Sequence, residues 1–272
     1  MRRIVAVASV LIALSLAYLF VGFIVARGQF GQADDALRQS IANLKQSEPL
    51  LSGDALANDV ATINDPNAAV GQLDGEYANL KAEDQVVADD QVALDAAARG
   101  LGSSWMTAPE GQSLRQARAR LEHARAAFGL VTRVVAADRA ELDFFTIFLT
   151  ALGDFSAAGK AGAAHDVAAA RVSFGGALGE FQKGAILAKG PDIPPQFVDV
   201  IAAFEAGCSD GKAFFEAAQA GNQGAMVRLS AAVKADAAHG SVDSAGVAAW
   251  IKQHFDDLKR SFDSELAKAS AT

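Results

Sequence analysis

The chain is predicted to be all-α, with one N-terminal transmembrane helix followed by an extended antiparallel bundle of about six or seven helices. Three observations carry this. Residues 4–25 run for 22 positions without a charge. Alanine, the best helix former, dominates the remainder, while β-branched and aromatic residues seldom alternate in the runs that strands need. Apolar residues then recur every seven positions through two long proline-free segments, the spacing that keeps one seam of a helix facing a partner.

The opening stretch is MRRIVAVASVLIALSLAYLFVGFIVARGQF. As a helix rising about 1.5 Å per residue, its uncharged run covers roughly 33 Å, enough to cross a hydrocarbon core of about 30 Å. A secretory signal has a shorter apolar region, about 7–15 residues, and then a small-x-small cleavage site. Ser15-Leu16-Ala17 supplies small residues, but a cut there leaves Leu19, Phe20 and Ile24 as a hydrophobic stub, and a cut after Ala26 meets Ile24 at the third position back. Residues 4–26 therefore read as a retained, single-pass signal-anchor through which the chain meets the lipid bilayer. Arg2 and Arg3 precede it, and Arg27 alone follows closely, with Asp34 and Asp35 beyond. The excess of positive charge before the span places residues 1–3 in the cytoplasm as a short tail and the C-terminal part outside the cytoplasm. Ser9, Ala13 and Ala17 repeat at intervals of four, a lane of small residues through which two anchors can approach.

Composition sets the class of the remainder. With 51% hydrophobic and 21% charged residues the chain can build a core, and the roughly 245 residues beyond the anchor suit one or two domains. Net charge is −8, and setting aside Arg2 and Arg3 leaves −10. That excess opposes nucleic acid and anionic lipid surfaces as partners. Cys208 is the sole cysteine, so no disulfide forms within one chain. The alanine-rich composition and short basic leader point to a bacterial source.

The six prolines fall between the apolar-periodic stretches and divide the chain. Residues 27–65 form a juxtamembrane helical segment in which Leu37, Ile41 and Leu44 share a face and Pro49 ends the helix. Residues 66–190 form a long helical hairpin and a core helix, opened by Asp65 as N-cap and Pro66 as first helical residue. Leu73, Leu80, Val87, Leu94 and Leu101 make one seven-residue lane, with Val70, Tyr77 and Ala98 beside it. Leu114, Leu121, Phe128, Val135, Leu142 and Leu149 make the other, beside Ala117, Ala124, Val131, Phe145 and Leu152. The loop between them, containing Thr107, Pro109 and Glu110 at capping-box spacing, is short enough to fold the two helices back as an antiparallel coiled-coil hairpin. Glu76, Glu83 and Asp90 flank the first seam and Arg118, Arg125 and Arg139 the second, so opposite charges favour this pairing. Asp84, Gln91 and Asp138 interrupt the seams and read as residues that fix register or sit near an exposed end. FFTIFLTALGDF, residues 144–155, is apolar but too short to span, and its acidic neighbours Glu141, Asp143 and Asp154 mark a buried core helix. Three prolines cluster at 190–196, the expected boundary before a C-terminal helical part, residues 191–272. Its helices are carried by Phe197, Ile201, Phe204, Cys208 and Phe215, by Met226 and Val233, and by Val247, Ile251, Leu258 and Phe262. The core helix before the boundary rests on Val167, Phe174, Leu178 and Phe181.

Few side chains form a constellation with chemistry. Gly207 to Gly211 match the G-x-S-x-G nucleophile elbow around Ser209, with Asp236 and His239 following in hydrolase order. That motif needs a strand ending in a sharp turn, whereas residues 197–204 approach with helical spacing, so Ser209 or Asp210 is expected to cap a helix after a glycine break. Asp236-x-x-His239 and His254-x-x-Asp257 approximate one-turn metal-ligand spacing, but the inward glutamates of a bundle metal site are missing, and His123, His165, His239 and His254 read as solvated or half-buried. Cys208 lies on an apolar face and reads as core. No cofactor or metal is assigned, no catalytic residue is named, and the chain is not expected to be an enzyme. The expected function is that of a membrane-anchored extracytoplasmic helical-bundle protein in protein–protein interaction or envelope scaffolding, through a protein partner or self-association. The alternative is a sensor or carrier domain that holds a small apolar ligand among the phenylalanine-rich helices after residue 140, and a serine hydrolase is a remote third.

Overall fold

The computed structural model describes residues 2–52, 66–101 and 111–271, apart from the side chains of 2–14, 16, 50, 52, 66–74, 76, 77 and 111. Among these residues every regular element is helical and no strand occurs. The helices are α1 (Arg2–Gln46), a 3-10 helix (Glu48–Ser52), α2 (Pro66–Gly100), α3 (Gly111–Ala163), α4 (Val167–Leu187), α5 (Gln196–Gln219), α6 (Gln223–His239) and α7 (Ser244–Ser270). Pro66 is the first residue of α2 as expected, while Asp65, Thr107, Pro109 and Glu110 lie outside the described residues.

The chain divides into two units, each with its own core. The first takes residues 1–51, 83–134 and 257–272, and so combines α1, the end of α2, the start of α3 and the end of α7. Part of each heptad seam is buried in it: Val87 and Leu94 of α2 and Leu101 just after it are at most 2% exposed, and Leu121 and Phe128 from α3 are sealed. Each such side chain contributes about 1.5–3 kcal/mol relative to exposure. Polar contacts fix the direction of the pair. Arg118 donates to the Leu101 carbonyl (2.8 Å), Arg125 pairs with Asp95 (2.8 Å) and Gln91 donates to Thr132 Oγ1 (3.3 Å). One residue number rises as the other falls, which is an antiparallel hairpin. Gln91 therefore reaches across the seam to a specific partner, as a register residue does. Asp84, by contrast, is exposed.

The flanking charges differ from expectation at Asp90. It is 4% exposed and accepts a hydrogen bond from Asn43 Nδ2 (2.7 Å), so it ties α2 to α1 and does not pair with the arginines of α3. The α1 face also differs: Ala33, Leu37, Ser40 and Leu44 are buried, while Ile41 stands half-buried beside them. Helix α7 completes the unit, with Phe262 fully buried, His123 against Glu265 (2.6 Å), Arg120 donating to the Ala269 carbonyl (3.0 Å) and Lys259 pairing with Glu48 (2.8 Å).

The second unit, residues 52–82 and 135–256, is built around phenylalanine. Phe144, Phe145 and Phe148 of α3 meet Phe197 of α5 with ring centroids 5.1–5.6 Å apart, and Phe181 of α4 stacks on Phe204 of α5 at 5.0 Å. Edge-to-face and offset packing of this kind adds about 0.5–1.5 kcal/mol per pair beyond area burial. Helix α4 packs on α5 and α5 on α6, and the 190–196 segment is the turn joining α4 to α5 within this unit. Two turns share one construction. His165 and Gly221 adopt left-handed backbone (φ 61° and 65°), and the next residue, Asp166 or Asn222, sends its N–H back to a carbonyl at 2.9 Å and caps the following helix through its side chain.

One helix among the described residues is long and apolar enough to cross a membrane, Gln112–Ala163 in α3. Its most apolar portion carries Phe144, Phe145 and Phe148, which are buried against α4 and α5 of its own unit. The span expected at residues 4–26 falls largely on side chains outside the described set.

Glycines inside helices separate by what surrounds them. A Cβ at Gly211 of α5 would sit 2.7 Å from the Phe174 ring, whereas one at Gly129 of α3 would meet nothing within 4 Å. Gly211→Val is expected to destabilise the protein by about 1–3 kcal/mol through overpacking, and Gly129→Ala to stabilise it by up to about 1 kcal/mol through helix propensity. Urea unfolding midpoints of the two variants check both signs.

Candidate functional site

The residues singled out by sequence pattern are dispersed by the fold. Ser209 is an exposed position in the middle of α5, which runs unbroken from Gln196 to Gln219. The glycine break and helix cap expected at Ser209 or Asp210 do not occur. Gly207 and Gly211 are there for packing: a Cβ at Gly207 would lie 3.5 Å from Asp236 Cβ and 3.9 Å from the Phe155 ring. A helix interior cannot present a serine as the strand-to-helix elbow does. His239 points its Nδ1 at the Ala235 carbonyl of its own helix (2.8 Å). Cys208 is fully buried, and burial, with Glu205 adding to it, pushes its thiol up to about 12. It is a core residue at neutral pH.

The histidines have separate surroundings. His123 pairs with Glu265, whose carboxyl is held below its ordinary range first by Lys268 and then by His123. His165 occupies a left-handed turn. His254 stacks on Trp250 (4.7 Å) with Nε2 3.6 Å from Asp192. Among the described residues no group of three or more His, Cys, Asp or Glu is arranged to hold a metal ion.

Two arrangements were not anticipated. The first is a carboxyl pair on α3, with Glu141 buried and Asp138 half-buried. Glu141, which the sequence offers only as an acidic neighbour of the 144–155 segment, is 5% exposed, and its Oε1 has no hydrogen-bond partner among the described residues. Burial, with Asp138 and Asp192 adding to it, pushes its carboxyl up to about 8, and burial alone raises Asp138 to about 7. Asp138 and Glu141 lie one turn apart, and Asp192 comes from the proline-rich turn that also faces His254. In sequence, Asp138 is visible as a polar break in a seam. Glu141 has no such signal, because its burial is set by what packs over it.

The second is a cleft of about 360 Å³ in the first unit, open between α1 and the start of α3. Arg27, Phe30 and Leu37 line it from one side and Arg120 from the other. Aligned heptads do not forecast it, since a gap depends on which small residues face each other. No protein-family model, curated protein or solved structure matches the chain, so the local chemistry alone bears on function.

The carboxyl pair has a measurable signature. A raised acid pKa means that the folded chain keeps protons the unfolded chain has released between about pH 4.5 and pH 8, so stability is greatest at low pH in that window and declines as pH rises. The urea midpoint of the wild type is expected to fall from pH 5 to pH 8.5, and Glu141→Gln to remove most of that fall. A flat wild-type profile contradicts a protonated Glu141.

Proposed function

We propose that the chain is a single-pass membrane protein with its N-terminus in the cytoplasm, whose helical part works outside the cytoplasm as a docking module for another envelope protein or a second copy of itself. The observation that carries the anchor is a change of surroundings along α1. From 19 to 25 the large apolar side chains are exposed, Phe20 at 65% and Ile24 at 54%, and only the small residues Gly22 and Ala26, one turn apart, are covered. From Ala33 onward the same helix buries one lane and turns Gln32, Asp35, Arg38 and Gln39 outward. A helix apolar all round needs an apolar solvent, and lipid supplies it. The first polar residue after the ring is Arg27, suited to a bilayer boundary.

Support for docking comes from α4. Val172, Gly175, Gly179, Gln182 and Ile186 fall on one stripe of this helix, with Val172 and Ile186 exposed at 75% and 74%. Glycine inside a helix costs about 1 kcal/mol relative to alanine. Gly176 and Gly184 have neighbours within 4 Å that account for them, but a Cβ at Gly175 or Gly179 would meet nothing. Close approach of another helix is what would offset that cost. The phenylalanine rings of α3, α4 and α5 meet one another, so support for a small-molecule reading lies in the cleft of the first unit instead.

Two experiments test the reading. Alkaline carbonate is expected to leave the full chain in the membrane pellet, and a Leu14→Arg/Leu16→Arg variant, with both charges at the middle of residues 4–26, to shift it to the supernatant, since each central charge costs about 2.5–3.5 kcal/mol in a span. Release of the wild type overturns the anchor. Gly175→Leu and Gly179→Leu are expected to stabilise the chain slightly yet abolish the cross-linked adduct seen by mass spectrometry in intact cells. Unchanged adducts exclude this face as the docking surface.

A further inference from the structure

We propose that the cleft between α1 and α3 in the first unit seats the phosphate of one anionic phospholipid headgroup, held between Arg27 and Arg120. The inference rests on the anchor reading above and deepens it. Arg27 comes two residues after Val25, the end of the exposed apolar ring, and so about 3 Å farther along the axis; Phe30 is about 7.5 Å farther. A headgroup layer is roughly 5–7 Å thick on each side of the hydrocarbon, so the mouth of the cleft lies at the depth of lipid phosphates.

The walls have the chemistry of such a group. Two guanidinium groups are presented from two different helices, and arginine is the side chain best suited to bidentate phosphate contacts. Arg120 spends one N–H on the Ala269 carbonyl (3.0 Å), which anchors its guanidinium and leaves the donors on its two terminal nitrogens. Asp34 also lines the cleft, but Arg38 pairs with it at 2.6 Å and offsets its charge. The volume, about 360 Å³, admits a headgroup and little more. The net negative charge of the chain opposes spreading over an anionic surface, so recognition is confined to this one point.

Gly31 gives a clean way to close the site, because it lines the cleft and a Cβ there would meet nothing within 4 Å. The full chain, Gly31→Leu and Arg27→Gln are reconstituted in vesicles of phosphatidylcholine with a minor share of phosphatidylglycerol. Each is then extracted, and the bound lipid is counted by native mass spectrometry. The wild type is expected to retain phosphatidylglycerol above its share of the bulk lipid, and both variants to lose about tenfold of that enrichment. Equal retention in all three, or no enrichment in the wild type, overturns the proposal. Displacement of the lipid by millimolar inorganic phosphate shows that the site reads free phosphate and overturns the lipid as its source. Release of the wild type by alkaline carbonate is a separate failure, that of the anchor, and removes the basis for a lipid site with it.

Discussion

The seven-residue apolar repeat is the constraint from which the first unit follows. A helix that repeats its apolar residues every seven positions offers one continuous seam, and a seam is satisfied only by another seam of matching length. Leu94 and Leu101 on α2 find Leu121 and Phe128 on α3, and α1 supplies a third lane through Ala33, Leu37 and Leu44. The small residues in these lanes, Ala124, Ala127 and Ser40, are as deeply buried as the leucines. They let the backbones draw close and leave few large side chains to choose between alternative packings. Polar contacts then select one register, with Gln91 reaching Thr132 and Asp90 receiving Asn43.

Much of this was legible in the sequence because periodicity survives without knowledge of the partner. The all-helical class, the bounds of α2, the start of α3 and the burial of the two seven-residue lanes wherever their side chains are described can be read from spacing alone, although Ala98, Ala117 and Leu152 beside them are half-buried and α3 runs on to Ala163. What spacing cannot supply is the second surface. Asp90 looks like one more member of a charged flank until α1 is seen to lie over it. Glu141 looks like one of three acidic neighbours of the core segment until the proline-rich turn brings Asp192 beside it. The literal G-x-S-x-G match fails for a related reason. Its glycines answer to Phe174, Phe155 and Asp236, residues far away in sequence that need room, and not to a catalytic turn.

The two units use different means of packing. Aliphatic seams in the first allow long, gently matched helices, whereas the second gathers its rings into one aromatic cluster among α3, α4 and α5. Its hairpins repeat a turn that combines a left-handed residue with an Asp or Asn cap. In the proposed reading these differences suit different tasks: the seam-built unit carries on from the anchor, and the aromatic unit offers the glycine-lined face of α4. The same division explains why a cleft opens where α1 and α3 run side by side, since alanine and glycine on facing helices leave volume that aromatic side chains would fill.

The order in which the chain leaves the ribosome bears on how these units are completed. The second unit draws on nothing after residue 256, but the first must wait for residues 257–272 before α7 can close over α3. Until then the freshly made α1, α2 and α3 would hold a gap where Phe262 and Ala269 belong, with His123 and Arg120 unmatched on that side. A nascent chain stalled at Asp256 would therefore finish its later-started unit first, and its earliest helices would stay vulnerable to proteases and chaperones for the whole of synthesis.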